Sequence, residues 1–138
     1  MKAFVLEDSP ERIKWFKENF IHIELHIATD INEVEKVFQK NYDILFLDHD
    51  LRGEFFVSSI QKNTGFSFCV NLCNSLSHKI DKETPIIIHS LNSVGAKNMY
   101  DYLIKHKFYN IAMMPFSQLT KQWERGTLSI CGKTKYEE

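Results

Sequence analysis

Two runs in this chain, Ile44-Leu45-Phe46-Leu47 and Ile86-Ile87-Ile88, are apolar at every position. Strand side chains alternate between two faces, so a run without polar alternation must be covered on both. Sheets covered on both faces are typically parallel, because the crossover helices that join parallel strands are what cover them. The rest of the chain supplies such crossovers. Strand candidates at 3–7, 23–28, 43–48, 85–89 and 109–114 alternate with helical patterns. Those patterns carry Ile13, Phe16 and Phe20; Val34, Val37 and Phe38; Phe68, Leu72 and Leu76; and Met99 and Leu103. Ser9-Pro10-Glu11 supplies a helix start, Asp30 a cap, and Thr64-Gly65 the opening of the third helix. The expected fold is α/β: one domain over residues 1–138, built on a doubly wound parallel five-stranded sheet with helices on both faces.

Composition narrows the function. Formal net charge is −1, so no bulk DNA binding is expected, and any nucleic-acid contact has to be local. Lys97, Lys105 and Lys107 read as a solvated face. The N-terminal MKAFVLED turns acidic too soon for a signal peptide, and no apolar run is long enough to cross a bilayer, so a cytoplasmic protein without membrane contact is expected. Cys69, Cys73 and Cys131 contain no CxxC pair and read as small buried hydrophobes in a reducing compartment. A zinc site from Cys69, Cys73 and His78 would lack a fourth ligand.

In open parallel sheets ligands bind outside the carboxyl ends of the strands. The first strand here ends in Glu7-Asp8, the third in Asp48-His49-Asp50, the fourth in His89-Ser90-Leu91-Asn92. Carboxylates delivered to one edge repel each other unless a cation neutralises them, and hard oxygen donors suit Mg²⁺ or Mn²⁺. His49 and His89 are candidates for acid–base work or phosphate contact. Ser90 and Asn92 can donate to a phosphoryl oxygen, or cap the helix that follows.

These residues resemble a response-regulator receiver domain, which has a flavodoxin-like fold. The acidic pair Glu7-Asp8, Asp48 ending strand three, Ser90 ending strand four and Pro115-Phe116 after strand five all correspond. That resemblance implies Mg²⁺ binding by Glu7 and Asp8 and places Asp48 at the phosphoacceptor position. Receivers carry a lysine before the final proline, where this chain has Met114. His49-Asp50, the His89–Asn92 motif and the extra segment 52–63 are departures too. They look instead like the cyclic-phosphate-processing receiver-like family, on LED with Arg12 following, LDHDL, Thr64-Gly65 and HSxN. This match spans about residues 1–116 and leaves 117–138 as an extension, read as a short helix, an edge strand and a frayed end.

What the resemblance implies is a metal-dependent phosphoesterase acting on a cyclic phosphate, either an RNA 2′,3′-cyclic end or a cyclic nucleotide. In that reading Glu7, Asp8, Asp48 and Asp50 hold Mg²⁺ or Mn²⁺, and Asp48, His49, His89 and Asn92 carry the catalysis. Arg12, Ser90 and Asn92 bind the phosphate. Two other readings stand beside it: a signalling module phosphorylated on Asp48, and a silent nucleotide- or protein-binding scaffold. In segment 52–63, Phe55-Phe56-Val57 is expected to pack on the core.

Overall fold

The computed structural model describes residues 1–51 and 57–128. Phe55, Phe56, Cys131 and the expected tail strand lie outside them.

Among the described residues five strands alternate with five α-helices: β1 (Lys2–Leu6), α1 (Pro10–Asn19), β2 (Glu24–Ala28), α2 (Ile31–Val37), β3 (Ile44–Leu47), α3 (Gly65–Cys73), β4 (Ile86–Ile88), α4 (Ser93–Lys105), β5 (Ile111–Met113) and α5 (Phe116–Glu124). All pairings between these strands are parallel and the strand order is β2-β1-β3-β4-β5. The doubly wound sheet is therefore as the apolar runs require.

Each of β1, β3 and β4 sends alternate residues into two cores. Phe4, Leu6, Leu45, Leu47, Ile86 and Ile88 face α2, α3 and α4, where they meet Val34, Phe68, Leu72, Met99 and Leu103. Ala3, Val5, Ile44, Phe46 and Ile87 face α1 and α5 and pack on Phe16, Phe20, Leu119 and Trp123. Aromatic edge contacts lock the second layer, with Phe20 and Trp123 centroids 4.7 Å apart.

The helix starts follow from local chemistry. Ser9 Oγ accepts the Arg12 N–H, Asp30 Oδ1 the Glu33 N–H, Thr64 Oγ1 the Ser67 N–H and Asn92 Oδ1 the Gly95 N–H. At its other end α4 closes with Lys107 at φ 72°, its N–H on the Ile104 carbonyl and the Phe108 N–H on the Leu103 carbonyl. Phe108 thereby drops into the core beside Leu103.

Cys69 and Cys73 are unpaired thiols on α3, and burial pushes the Cys69 thiol well above its ordinary range. That is the behaviour of a packed hydrophobe. Lys97 pairs with Asp101 at 3.0 Å on the exposed side of α4. Among the described residues no helix is long and apolar enough to cross a membrane.

Candidate functional site

Chain direction explains where the site opens. From β1 the chain moves outward to β2 and returns to β3 on the other side of β1. The segments leaving β1 and β3 therefore diverge to opposite faces, α1 packing on one and α3 on the other. The crevice between them is the switch point at which open α/β sheets bind ligands.

Strand parity decides which polar side chains enter it together. The Asp48 N–H bonds the Leu6 carbonyl and the His89 N–H bonds the Leu47 carbonyl, continuing the parallel ladders by one residue. Leu6 pairs Leu47, and Leu47 pairs Ile88, so Glu7, Asp48 and His89 form the next row across three strands. Each follows a residue facing the α2–α4 layer, so all three turn to the α1–α5 side. His49 and Ser90 come one residue later and turn to the opposite side.

The row is buried, with relative exposures of 1% for Glu7, 5% for Asp48 and 0% for His89. Glu7 Oε1 accepts from His89 Nε2 at 2.9 Å, while Oε2 accepts the Asp8 and Ser9 N–H groups, both at 3.1 Å. Arg12 reaches across from α1, with Nη1 3.5 Å from Glu7 and 3.9 Å from Asp48. Its guanidinium lies over Phe116, 5.2 Å from the ring centroid. Asp48 Oδ1 accepts the His49 N–H at 2.8 Å.

The two carboxylates differ in proton affinity. Burial works to raise Glu7, but the His89 hydrogen bond and charge, the Ser9 N–H and Arg12 outweigh it and leave Glu7 below its ordinary value. Burial also raises Asp48. There it prevails: Glu7 adds to it, His89, the His49 N–H and Arg12 oppose it, and Asp48 is pushed up to about 7.

One ligand atom from each of Glu7, Asp48 and His89 lies within 4.8 Å of the others, and they are the group of this kind among the described residues. Two carboxylate oxygens and an imidazole nitrogen form an acceptable donor set for a divalent cation. Of the four carboxylates expected to hold the metal, Glu7 and Asp48 lie in this group. Asp8 is half-buried and adds its backbone N–H to Glu7 rather than a ligand atom to the group. Asp50, beyond the end of β3, joins a different cluster.

That second cluster holds most of the remaining sequence candidates. His49 is fully buried, with Nδ1 2.7 Å from Asp50 Oδ1 and Nε2 2.9 Å from Ser59 Oγ. Asn92 caps α4 through Oδ1 while its Nδ2 donates to Asp50 Oδ1 and the Val57 carbonyl. Ser90 Oγ accepts the Asn92 N–H. Ser59 and Asn98 were not legible as site residues, since a loop serine and a helix-surface asparagine carry no periodic signal. Gly95 did leave a trace: glycine in the first turn of a helix costs about 1 kcal/mol against alanine and implies close approach. A Cβ there would meet the His49 ring at 2.5 Å.

Residues 5–105 match the family model described as the cyclic-phosphate processing receiver domain. The chain belongs to that family. No curated protein matches it. Among solved structures, this receiver resembles the Mn²⁺-bound response regulator Rcp1, with a TM-score of 0.56 and 12% identity over 94% of this chain and 97% of that one. It also resembles the response regulator TrrA from Thermotoga maritima in complex with Mg²⁺ and BeF, with a TM-score of 0.53 and 20% identity over 90% and 96%. At such identities the likeness is one of fold. Against the receiver pattern, Met114 stands where lysine is usual. It packs on the α1–α5 core.

Proposed function

We propose that this receiver is a metal-dependent phosphoesterase acting on a cyclic phosphate, an RNA 2′,3′-cyclic end or a cyclic nucleotide. The observation carrying the proposal is the buried Glu7–Asp48–His89 row, which adds an imidazole to the paired carboxylates of an ordinary receiver. The family description supplies the cyclic phosphate.

The residues fit a divalent cation. The donor set is compact, two hard carboxylates with an imidazole beside them, and His89 Nδ1 is a buried polar atom with no hydrogen-bond partner among the described residues. Glu7 and Asp48 would hold Mg²⁺ or Mn²⁺, the ions bound in the structures of the two relatives. Bound there, the ion would polarise the phosphoryl group and make a bound water more acidic.

The chain's own residues do the rest. Glu7 holds the His89 ring through Nε2, and in its doubly protonated form the ring would give its Nδ1 proton to the departing ribose oxygen. Arg12 supplies a guanidinium to the non-bridging oxygens, kept in place by Phe116 beneath it. Asp48, held by the His49 N–H, completes the anionic wall. His49, Asp50 and Asn92 bond to one another and to residues 57–59, and this reading gives them no role in the step.

The test is a panel of cyclic phosphates, including an RNA oligonucleotide with a 2′,3′-cyclic end, assayed with Mg²⁺, Mn²⁺ or EDTA. Metal-dependent turnover is expected, reduced about 10²–10⁴-fold by His89→Gln. Absence of turnover with intact metal binding would sink the enzyme reading. The receiver-type fold favours a second reading, phosphorylation of Asp48, and a stable Asp48-dependent adduct from a small phosphodonor would support it.

Proton competition gives a second expected outcome. Asp48 retains its proton up to about 7, and a metal must displace it. Apparent Mn²⁺ affinity should rise by roughly tenfold per unit between pH 5 and 7 and level off above. Calorimetric titrations in buffers of different ionisation enthalpy would report the released proton. A flat profile over that range would contradict the raised Asp48.

A further inference from the structure

The hydrogen-bonded line Asp50–His49–Ser59 has no role in the phosphate chemistry above. Its geometry is that of a nucleophile, a base and an orienting carboxylate. A carboxylate only accepts, so the 2.7 Å contact to Asp50 Oδ1 places the proton on His49 Nδ1. Nε2 of the neutral ring is then the acceptor, and the Ser59 hydroxyl, 2.9 Å away, donates to it.

The supports are built in. Asn92 Nδ2 donates to Asp50 Oδ1 at 3.1 Å, and Asn92 is itself held by the Gly95 N–H and the Val57 carbonyl. The His49 ring lies against Gly95, where a Cβ would intrude. His49 is fully buried, whereas Ser59 is part-exposed and lines an open groove of about 430 Å³. Ile60, Phe66 and Tyr102 give the groove apolar walls, with Phe66 and Tyr102 edge to face at 5.3 Å. Asn98 Nδ2 sits 3.0 Å from Ser59 Oγ, an N–H donor beside the nucleophile.

We infer that Ser59 is an activated nucleophile, with His49 as its base and Asp50 orienting the ring, in a site that takes carboxylic esters of small apolar or aromatic acids. Ser59 Oγ forms a bond to the ester carbonyl carbon while its proton passes to His49 Nε2. Charge moves onto the carbonyl oxygen, where the Asn98 amide can donate. The carbon–alkoxy bond then breaks and the leaving alkoxide takes the proton from His49. Water attacks the acyl-serine with His49 again accepting the proton, which returns to Ser59 Oγ as the acid departs.

A fluorophosphonate probe and p-nitrophenyl butyrate test this on the full chain. The expected result is one adduct per chain, mapped to Ser59 by peptide mass, absent from Ser59→Ala and formed at least about tenfold more slowly in Asp50→Asn. Ester hydrolysis should fall in parallel. EDTA should change neither, which separates this site from the metal-dependent row. No adduct on the folded wild-type protein, or one that survives Ser59→Ala, would overturn the inference. Ser59 is a part-exposed loop residue, so the alanine variant is expected to fold.

Discussion

Asp48→Asn is expected to stabilise the metal-free protein at pH 8 while abolishing its metal binding. Asp48 is 5% exposed and pushed from 3.8 up to about 7, first by burial and then, against His89, by the charge on Glu7. A folded-state value above the unfolded one means that the native protein holds this proton more tightly. The group's contribution is therefore most favourable below pH 4, declines as pH rises towards 7, and stays at its minimum above. Ionising Asp48 in the folded chain costs about 4 kcal/mol at most, at 1.36 kcal/mol per unit. An amide carries no such cost and keeps an oxygen for the His49 N–H. Thermal melts in EDTA should place the variant several degrees above wild type at pH 8 and level with it at pH 4. Manganese should raise the melting temperature of the wild type alone. A variant no more stable than wild type at pH 8 would mean that Arg12 and His89 already offset the buried charge.

Gly65→Ala should be among the most damaging single-methyl changes in the chain. Gly65 opens α3 directly against the end of β3, its N–H bonded to the His49 carbonyl at 2.8 Å. A Cβ there would lie against the Asp48 carbonyl oxygen, far inside van der Waals contact, and 2.8 Å from Met99 Cε. The methionine can move. The carbonyl cannot, because it belongs to the strand end that carries Asp48. Relief must come from shifting α3 or β3, at a cost of about 3 kcal/mol or more. Urea unfolding should show a lower midpoint at an unchanged slope. Manganese affinity should fall at least about tenfold, since an ångström-scale shift of Asp48 breaks the row. Wild-type stability with wild-type affinity would show that the strand end yields freely.

Both predictions concern positions where local sequence and long-range packing meet, and they show how far each was readable. Thr64 and Gly65 were legible as a helix start. That the glycine is required by Asp48 was not, because the approach of α3 to β3 is a tertiary distance. Asp48 was legible as a strand end beside a site. Its partners were only partly so: Glu7 and His89 join it, while Asp8 and Asp50 do not join that group.

Periodicity and capping are local, and they were enough to settle the architecture. Apolar runs without alternation demanded a sheet covered on both faces, and Ser9, Asp30 and Thr64 marked helix starts where caps now sit. The sequence also placed carboxylates and imidazoles at the carboxyl ends of three strands. Only the tertiary structure decided which of them meet, because that depends on strand order, on register and on a parity that changes with every residue. One step along β3 separates Asp48, in the Glu7–His89 row, from His49, bonded to Asp50 and Ser59. No local pattern carries that information, since the register across β1, β3 and β4 is set by how the crossover helices pack on the two faces of the sheet.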